Sequence, residues 1–331
     1  MSALAPMQTL DRYGPQGTGA APSLDEARDY VRTLTAGSRE NFSVLSRLVP
    51  ARLRDDFAAV YAFCRWADDL GDETGADGAA RVRSLDLLSW WRRELEACFA
   101  WDDGAEARHP VFVALRETAR RHALPAEPFH DLISAFEQDQ RVTRYATWDQ
   151  LLGYCAKSAN PVGRIVLRLA GERPQSEGGA HASDLTFSMS DDVCTALQLI
   201  NFWQDVRRDL VERDRVYLPS EETGLDAETL REWMGRPNDP EARVPYIKAL
   251  RPLVDRTRAM FEGAADLPTR LSDPAMRPVV WLFGAGGLAI TREVEKIGCA
   301  TLWTRPTVSK AQQGALVLRA WLRFRMTGGG R

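Results

Sequence analysis

The sequence predicts an all-α fold in a single domain. Three observations carry this. Apolar residues recur at spacings of three and four along most of the chain, as in Leu53, Phe57, Val60, Tyr61 and Cys64, or Leu85, Leu88, Trp91, Leu95 and Phe99. No convincing run alternates strictly, as a half-buried strand would. Breaks fall where Gly and Pro cluster: at Gly104, from Gly171 to Gly179, at Pro219, from Gly235 to Pro240, and at Pro306.

Taken in order, residues 1–22 are rich in Gly, Pro and Ala and predict an unstructured tail. Ser23-Leu24-Asp25-Glu26 forms a capping box and starts the first helix. Helical periodicity then runs to about residue 326, with no repeat or composition shift to divide it, and 327–331 form a flexible end. The longest apolar run, Pro278 to Ile290, is too short to span a bilayer and reads as core.

Hydrophobic residues make up 44% and charged residues 27%, enough for a sizeable core. Net charge is -3 without a long basic run, which argues against nucleic acid as a partner. Five scattered cysteines (Cys64, Cys98, Cys155, Cys194 and Cys299) form no CxxC pair, which suits a reducing cytosol. The N-terminus lacks the basic and apolar regions of a signal peptide. The expectation is a cytoplasmic protein.

Two acidic constellations carry the chemistry. In Asp68-Asp69-Leu70-Gly71-Asp72-Glu73, Asp68 and Asp72 are four apart and share a helix face. A cation between them would relieve their repulsion, and magnesium prefers oxygen ligands beside a diphosphate. A solvated acidic helix end is the bland alternative. In the run from Gln198 to Asp209, Asn201, Asp205 and Asp209 fall on one stripe among Leu199, Ile200, Phe202, Trp203 and Val206. Such buried carboxylates need a cation, and Arg207 or Arg208 is the structural alternative to a metal. Metal-assisted loss of diphosphate would leave a carbocation. That cation needs a dry pocket with aromatic faces. Phe42, Tyr61, Phe63, Trp66, Tyr154, Phe202 and Trp203 lie near the acidic helices in sequence, although core packing accounts for any one of them.

These segments resemble the squalene/phytoene synthase family, from about Glu40 to about Pro219. Glu40-Asn41-Phe42-Ser43 resembles its Ser-Phe motif, and Tyr61 to Arg65 followed by Asp68xxxAsp72 its first aspartate-rich motif. Tyr154 to Gly163, Asn201xxxAsp205xxxAsp209, and Arg215 to Pro219 resemble later segments. The resemblance implies an isoprenoid synthase helical bundle around a central cavity, with several magnesium ions bridging the aspartate motifs and a prenyl-type diphosphate. It marks Asp68, Asp72, Asn201, Asp205 and Asp209 as metal candidates. Phe42, Tyr61, Arg65, Tyr154, Arg215 and Tyr217 become substrate candidates. Arg65 could equally pair with Asp69 at i,i+4.

Two departures narrow the reading. Many members carry Arg where Gln204 stands, and Pro161 in Ser158-Ala159-Asn160-Pro161 should kink a helix. ENFxVxS, SANPVG and NFWQDV look most like the hydroxysqualene synthase branch of hopanoid biosynthesis. That likeness implies presqualene diphosphate as substrate and water capture to hydroxysqualene, with Gln204 and Asn160 as candidates to hold the water. NADPH is not expected. The alternative is head-to-head condensation of farnesyl or geranylgeranyl diphosphate. A head-to-tail elongation enzyme fits less well, because a second DDxxD is absent, and a non-catalytic helical binding protein is a third class.

Gly284-Ala285-Gly286-Gly287-Leu288-Ala289 imitates a dinucleotide fingerprint, but no acid follows Glu295. Close helix packing is the better reading. His109, His122, His130 and His181 show no ligand spacing, and Asp139 reads equally as a family position or a surface charge. Leu316 to Met326 mixes Leu318, Trp321 and Leu322 with Arg319, Arg323 and Arg325. It is either a last helix packed on the core or a basic amphipathic helix on a membrane surface. Pathway enzymes complete the partners that the resemblance admits.

Overall fold

The computed structural model describes residues 5–17, 19–36, 48–72, 74–75, 77–100, 107–178 and 183–325. Among these, every regular element is a helix, and the only bridge pairs Arg144 with Val216. The chain divides into two compact units: residues 1–141 with 164–173, and residues 142–163 with 174–331.

The first unit contains α1 (Leu24–Ala36), α2 (Arg54–Asp72), α3 (Gly78–Phe99), α4 (Pro110–His122) and α5 (Glu127–Asp139). The capping box forms: Glu26 N–H donates to Ser23 Oγ at 3.3 Å, and Ser23 N–H to Glu26 Oε2 at 2.8 Å. In the core, Trp66 stacks on Trp91 at 5.4 Å and 11°. Phe63 meets Phe129 edge-on at 5.1 Å. Asp56, buried, accepts from Thr118 Oγ1 at 3.0 Å and lies 3.0 Å from His122 Nε2, with Arg121 beside it. A buried carboxylate is tolerable because these partners satisfy it.

His109 sits inside the aromatic core. Its ring lies 4.4 Å from Trp66, 4.9 Å from Trp91 and 5.7 Å from Tyr13. Nδ1 accepts from the Val111 N–H at 3.2 Å and caps α4, while Nε2 finds no hydrogen-bond partner among the described residues. Tyr13 belongs to a segment expected to be unstructured. Instead Pro6–Thr9 forms a 3₁₀ turn and Leu10–Tyr13 a helical turn, with Pro6 and Thr9 buried. The Gly/Pro composition misleads here because a single ring, packed 5.3 Å from Tyr30 and over His109, anchors the segment.

The second unit contains α6 (Trp148–Ser158), α8 (Ser183–Arg213), α9 (Ala227–Met234), α10 (Pro240–Gly263), α11 (Arg277–Lys296) and α12 (Lys310–Arg325). The helix α7 (Asn160–Leu169) passes from one unit to the other after Gly163. Pro161 does not kink a continuous helix: α6 ends at Ser158, Ala159 leaves helical geometry at φ -125°, and Pro161 occupies the first turn of α7. There its missing N–H costs nothing. The long α8 packs on α6, α10 and α11. Its Trp203 is fully buried and donates Nε1–H to Thr257 Oγ1 at 2.8 Å. A Cβ on Gly287 would overlap the ring of Phe261, so that glycine of the false fingerprint serves helix packing, whereas Gly284 and Gly286 have open space. A Cβ on Gly163 would lie 2.5 Å from Ser190 Oγ and 2.6 Å from Cys194 Sγ, so α7 begins in direct contact with α8.

Burial pushes the His109 imidazole down to about 3 from 6.5. Between these values the unfolded chain binds a proton that the folded chain refuses. Stability from this group is therefore present above about pH 6.5 and lost as pH falls towards 3. The upper limit of the slope is about 1.4 kcal/mol per pH unit. His109→Asn, which can still cap α4 but does not titrate, is expected to melt lower than wild type at pH 7 yet to lose less stability between about pH 6.5 and 4.5. Denaturant midpoints across that range decide it, and equal slopes in both proteins would refute the assignment.

Candidate active site

Each unit carries one acidic helix face. On α2, Asp68 and Asp72 are partly exposed, whereas Asp69 is 1% exposed. Arg65 Nη2 lies 2.6 Å from Asp69 and Nη1 3.8 Å from Asp68. Asp69 is thus the structural member of the motif. Arg65 forms the i,i+4 pair expected as its alternative role, with an edge towards Asp68. The C-terminal end of α2 is pinned by Gln140, whose Nε2 donates to the Gly71 carbonyl at 2.9 Å. Asp139, next to it, is buried and not a surface charge. Tyr61 is half-buried one turn before Arg65. Phe42, Gly104, His181 and the end 327–331 lie outside the described residues.

The second face runs along α8. The residues between the stripe positions are buried as expected: Leu199, Ile200, Phe202, Trp203 and Val206. The stripe itself is graded. Asn201 is exposed, and Asp205 and Asp209 are half-buried. Arg305 forks onto Asp205, with Nη2 3.0 Å from Oδ2 and Nε on Oδ1. Arg208 stands further off, 3.8 Å from Asp205 and 3.1 Å from Glu212. The principal cation for this carboxylate is therefore Arg305, a hundred residues away. No local signal marks Arg305 in the sequence, where only the adjacent Pro306 stands out. Burial, then the charge of Asp205, push the Asp209 carboxyl up to about 7, against the opposing pull of Arg208, Arg215 and Arg213.

Gln204 and Asn160 are both buried, and each has a bond already made. Gln204 Nε2–H donates to the Pro306 carbonyl at 2.6 Å, which fixes the loop that presents Arg305. Asn160 Oδ1 accepts from Thr195 Oγ1 at 2.8 Å, joining the start of α7 to α8. Those contacts leave the Asn160 amide N–H groups and Gln204 Oε1 uncommitted by these two bonds.

An aromatic box flanks the stripe. Phe202 and Tyr217 stack at 3.7 Å and 7°, Tyr145 lies 5.6 Å from Tyr217, and Tyr154 lies 6.0 Å from Phe202. The box exists because two loops pair: Val216 N–H donates to the Thr143 carbonyl at 2.9 Å and Ser220 N–H to the Tyr145 carbonyl at 3.0 Å. Arg215, buried, donates its backbone N–H to the Asp209 carbonyl at 3.0 Å. Phe63, Trp66 and Trp203 are core residues; Tyr154, Phe202 and Tyr217 come together, and Tyr145 joins them unforeseen. Earlier on α8, Val193 lines a partly open pocket of about 490 Å³ whose wall is mostly apolar, with Phe261, Leu267, Trp281, Leu288 and Leu316, and which also includes Asp266, Arg292, Arg319 and Arg323. Val193 stands about two turns before Asn201, so one helix carries both the cavity wall and the carboxylates.

The donor set suits a hard divalent cation. Among the described residues no three His, Cys, Asp or Glu side chains converge as a preformed cage. Magnesium does not need one: one or two carboxylates with water and phosphate oxygens suffice. Burial and the charge of Asp205 raise Asp209 to about 7, so added positive charge beside this pair is favourable.

A helical protein with acidic stripes, an aromatic box and a mostly apolar pocket has the makings of an enzyme that binds an anionic head and a hydrocarbon tail. The squalene/phytoene synthase family model matches residues 35–312, and the chain belongs to that family. It is 34% identical over 235 residues to the hydroxysqualene synthase of Rhodopseudomonas palustris, covering 71% of this chain and 72% of the relative. It is 33% identical to that of Zymomonas mobilis, covering 71% of each. Among solved structures, squalene synthase HpnC from Alicyclobacillus acidocaldarius matches with a TM-score of 0.67 and 35% identity, over 83% of this chain and 95% of that one. A dehydrosqualene synthase shares the fold at 20% identity and a TM-score of 0.68, over 92% of this chain and 98% of that one.

Neutralising Asp209 removes a charge that burial opposes. Asp209→Asn is expected to raise stability at pH 8 by roughly 1–3 kcal/mol. The gain should vanish near about pH 4, where the native carboxyl is already protonated. Chemical denaturation at both pH values tests this, and a loss of stability at pH 8 contradicts the assigned environment.

Proposed function

We propose that this enzyme ionises presqualene diphosphate and captures the resulting cation with water, giving hydroxysqualene and diphosphate. The match over 71% of the chain to relatives named hydroxysqualene synthase carries the finer reading. The reaction breaks one C–O bond, rearranges the cyclopropylcarbinyl cation, forms one C–O bond to water, and releases a proton with diphosphate. No redox partner enters, so NADPH is not required.

Asp68 and Asp72 on α2, and Asn201, Asp205 and Asp209 on α8, would hold magnesium, which when bound neutralises the diphosphate and eases its departure. Arg65 supplies a cation beside Asp68, and Arg215 one near Asp209. Tyr154, Phe202 and Tyr217 would surround a nearby positive charge with polarisable aromatic rings. The pocket next to Val193, with Phe261, Trp281 and Leu288 in its wall, would accommodate hydrocarbon. Asn160, through its amide N–H groups, and Gln204, through Oε1, orient the one water that must react, while their other atoms stay on Thr195 and Pro306.

Product analysis tests the reading directly. Purified protein with magnesium and without NADPH should convert presqualene diphosphate to hydroxysqualene and leave farnesyl diphosphate untouched. Presqualene, dehydrosqualene or phytoene-type products from farnesyl or geranylgeranyl diphosphate would replace it with head-to-head condensation, which relatives such as the Synechocystis 15-cis-phytoene synthase, 29% identical over 276 residues, keep in view.

Asp205→Asn and Asp68→Asn should each lower kcat by about 10²–10³. Both should also lose the magnesium-dependent rise in melting temperature that a non-hydrolysable diphosphate analogue gives the wild type. Unchanged melting shifts in both variants would remove these carboxylates from the metal site. Gln204→Leu with Asn160→Leu should divert product from alcohol to hydrocarbon, and an unaltered ratio removes the water-holding role.

A further inference from the structure

Helix α12 packs one side against α11 and leaves the other exposed. Ala320 is buried, and Gln312 Nε2 donates to Glu293 Oε1 at 2.7 Å. On the opposite side Leu318, Trp321 and Leu322 are 56%, 44% and 45% exposed. They stand at i, i+3 and i+4 and form one patch, continued towards the N-terminus by exposed Ala315, Gly314 and Ala311. The other large exposed hydrophobic residues among those described, Val82, Leu185, Val211 and Val244, occur singly along their helices. Scattered apolar residues are ordinary on a surface, whereas a contiguous patch marks an interaction site.

Charge identifies the partner. From Lys310 to Arg325 the helix has four basic residues and no acid, in a chain of net charge -3. Arg319 and Arg323 are exposed one position beyond Leu318 and Leu322, so a basic row borders the apolar one. Arg323 carries its guanidinium 5.9 Å from the Trp281 ring and 5.7 Å from the ring of Phe324. Long arginine stems can lie on apolar surface while the head reaches phosphate, and tryptophan favours the headgroup boundary. No helix among the described residues is long and apolar enough to cross a membrane, so the arrangement suits lying on one.

We propose that the outer face of α12 docks on a bilayer containing anionic phospholipid, with Leu318, Trp321 and Leu322 entering the headgroup boundary and Arg319 and Arg323 meeting phosphates. Arg319, Leu322 and Arg323 also line the mostly apolar pocket. Docking there puts the cavity beside the phase in which an oily substrate or product dissolves. The docking itself does not depend on the reaction proposed above.

Vesicle co-sedimentation of the full chain tests it. The protein should pellet with vesicles of phosphatidylcholine and phosphatidylglycerol in equal parts, and at least tenfold less with phosphatidylcholine alone. Binding should weaken as salt rises. Each of Arg319→Ala and Arg323→Ala should weaken it about fivefold, and Leu318→Glu with Trp321→Glu should abolish it. These side chains are exposed, so melting temperatures should stay within a few degrees of wild type. Equal binding to both vesicle types, or to neither, overturns the proposal. So does a lipid-free dimer in sedimentation velocity that Trp321→Glu dissolves, which would make a second copy of the chain the true occupant.

Discussion

Asp205 and Asp209 stand one helical turn apart on α8, flanked by buried Gln204, Val206 and Leu210. Burial, and then the charge of Asp205, oppose the ionisation of Asp209, and its carboxyl is raised accordingly. Much of the second unit can be understood as management of that charge. Arg305 forks onto Asp205, and Gln204 holds the loop that presents Arg305 through the Pro306 carbonyl. Arg215 is brought near by the bond between its N–H and the Asp209 carbonyl. A fold built for stability alone would place apolar residues at these positions; carboxylates retained at such cost are a mark of function.

The same helix organises what surrounds the charge. Phe202 lies next to Asn201 in the chain and turns into the aromatic box, while Val193, two turns earlier, faces the mostly apolar pocket. Val193 and Phe202 are nine residues apart and so leave α8 on opposite sides, which lets one long helix support the pocket wall on one side and the aromatic box beside the carboxylates on the other.

In the first unit the foundation is aromatic. Trp66, on the same helix as Asp68 and Asp72, stacks on Trp91 and meets the edge of His109. The neighbouring Asp69 takes Arg65 as its counter-ion inside the protein, and Gln140 closes the helix end. Asp68 and Asp72 are thereby held on a rigid helix while staying accessible. Rigid support of this kind is what positions a ligand set to within a fraction of an ångström.

The helices, the capping box at Ser23, the two aspartate stripes and the family were legible before any tertiary contact, because helical period and i,i+4 spacing are local properties of a chain. The sequence also separated Gly287 from a nucleotide fingerprint, for want of a following acid. Other features depended on partners distant in the chain. Arg305 and Tyr145 could not be assigned to the site without the fold that brings them to Asp205 and Tyr217. Composition alone predicts residues 1–22 to be unstructured, although Tyr13 anchors part of them on His109. Asp69 became structural and Asp68 accessible only when packing chose which side of α2 to bury. Local periodicity specifies which residues share a face; only tertiary packing decides what that face meets, and so which charges are neutralised and which remain available for chemistry.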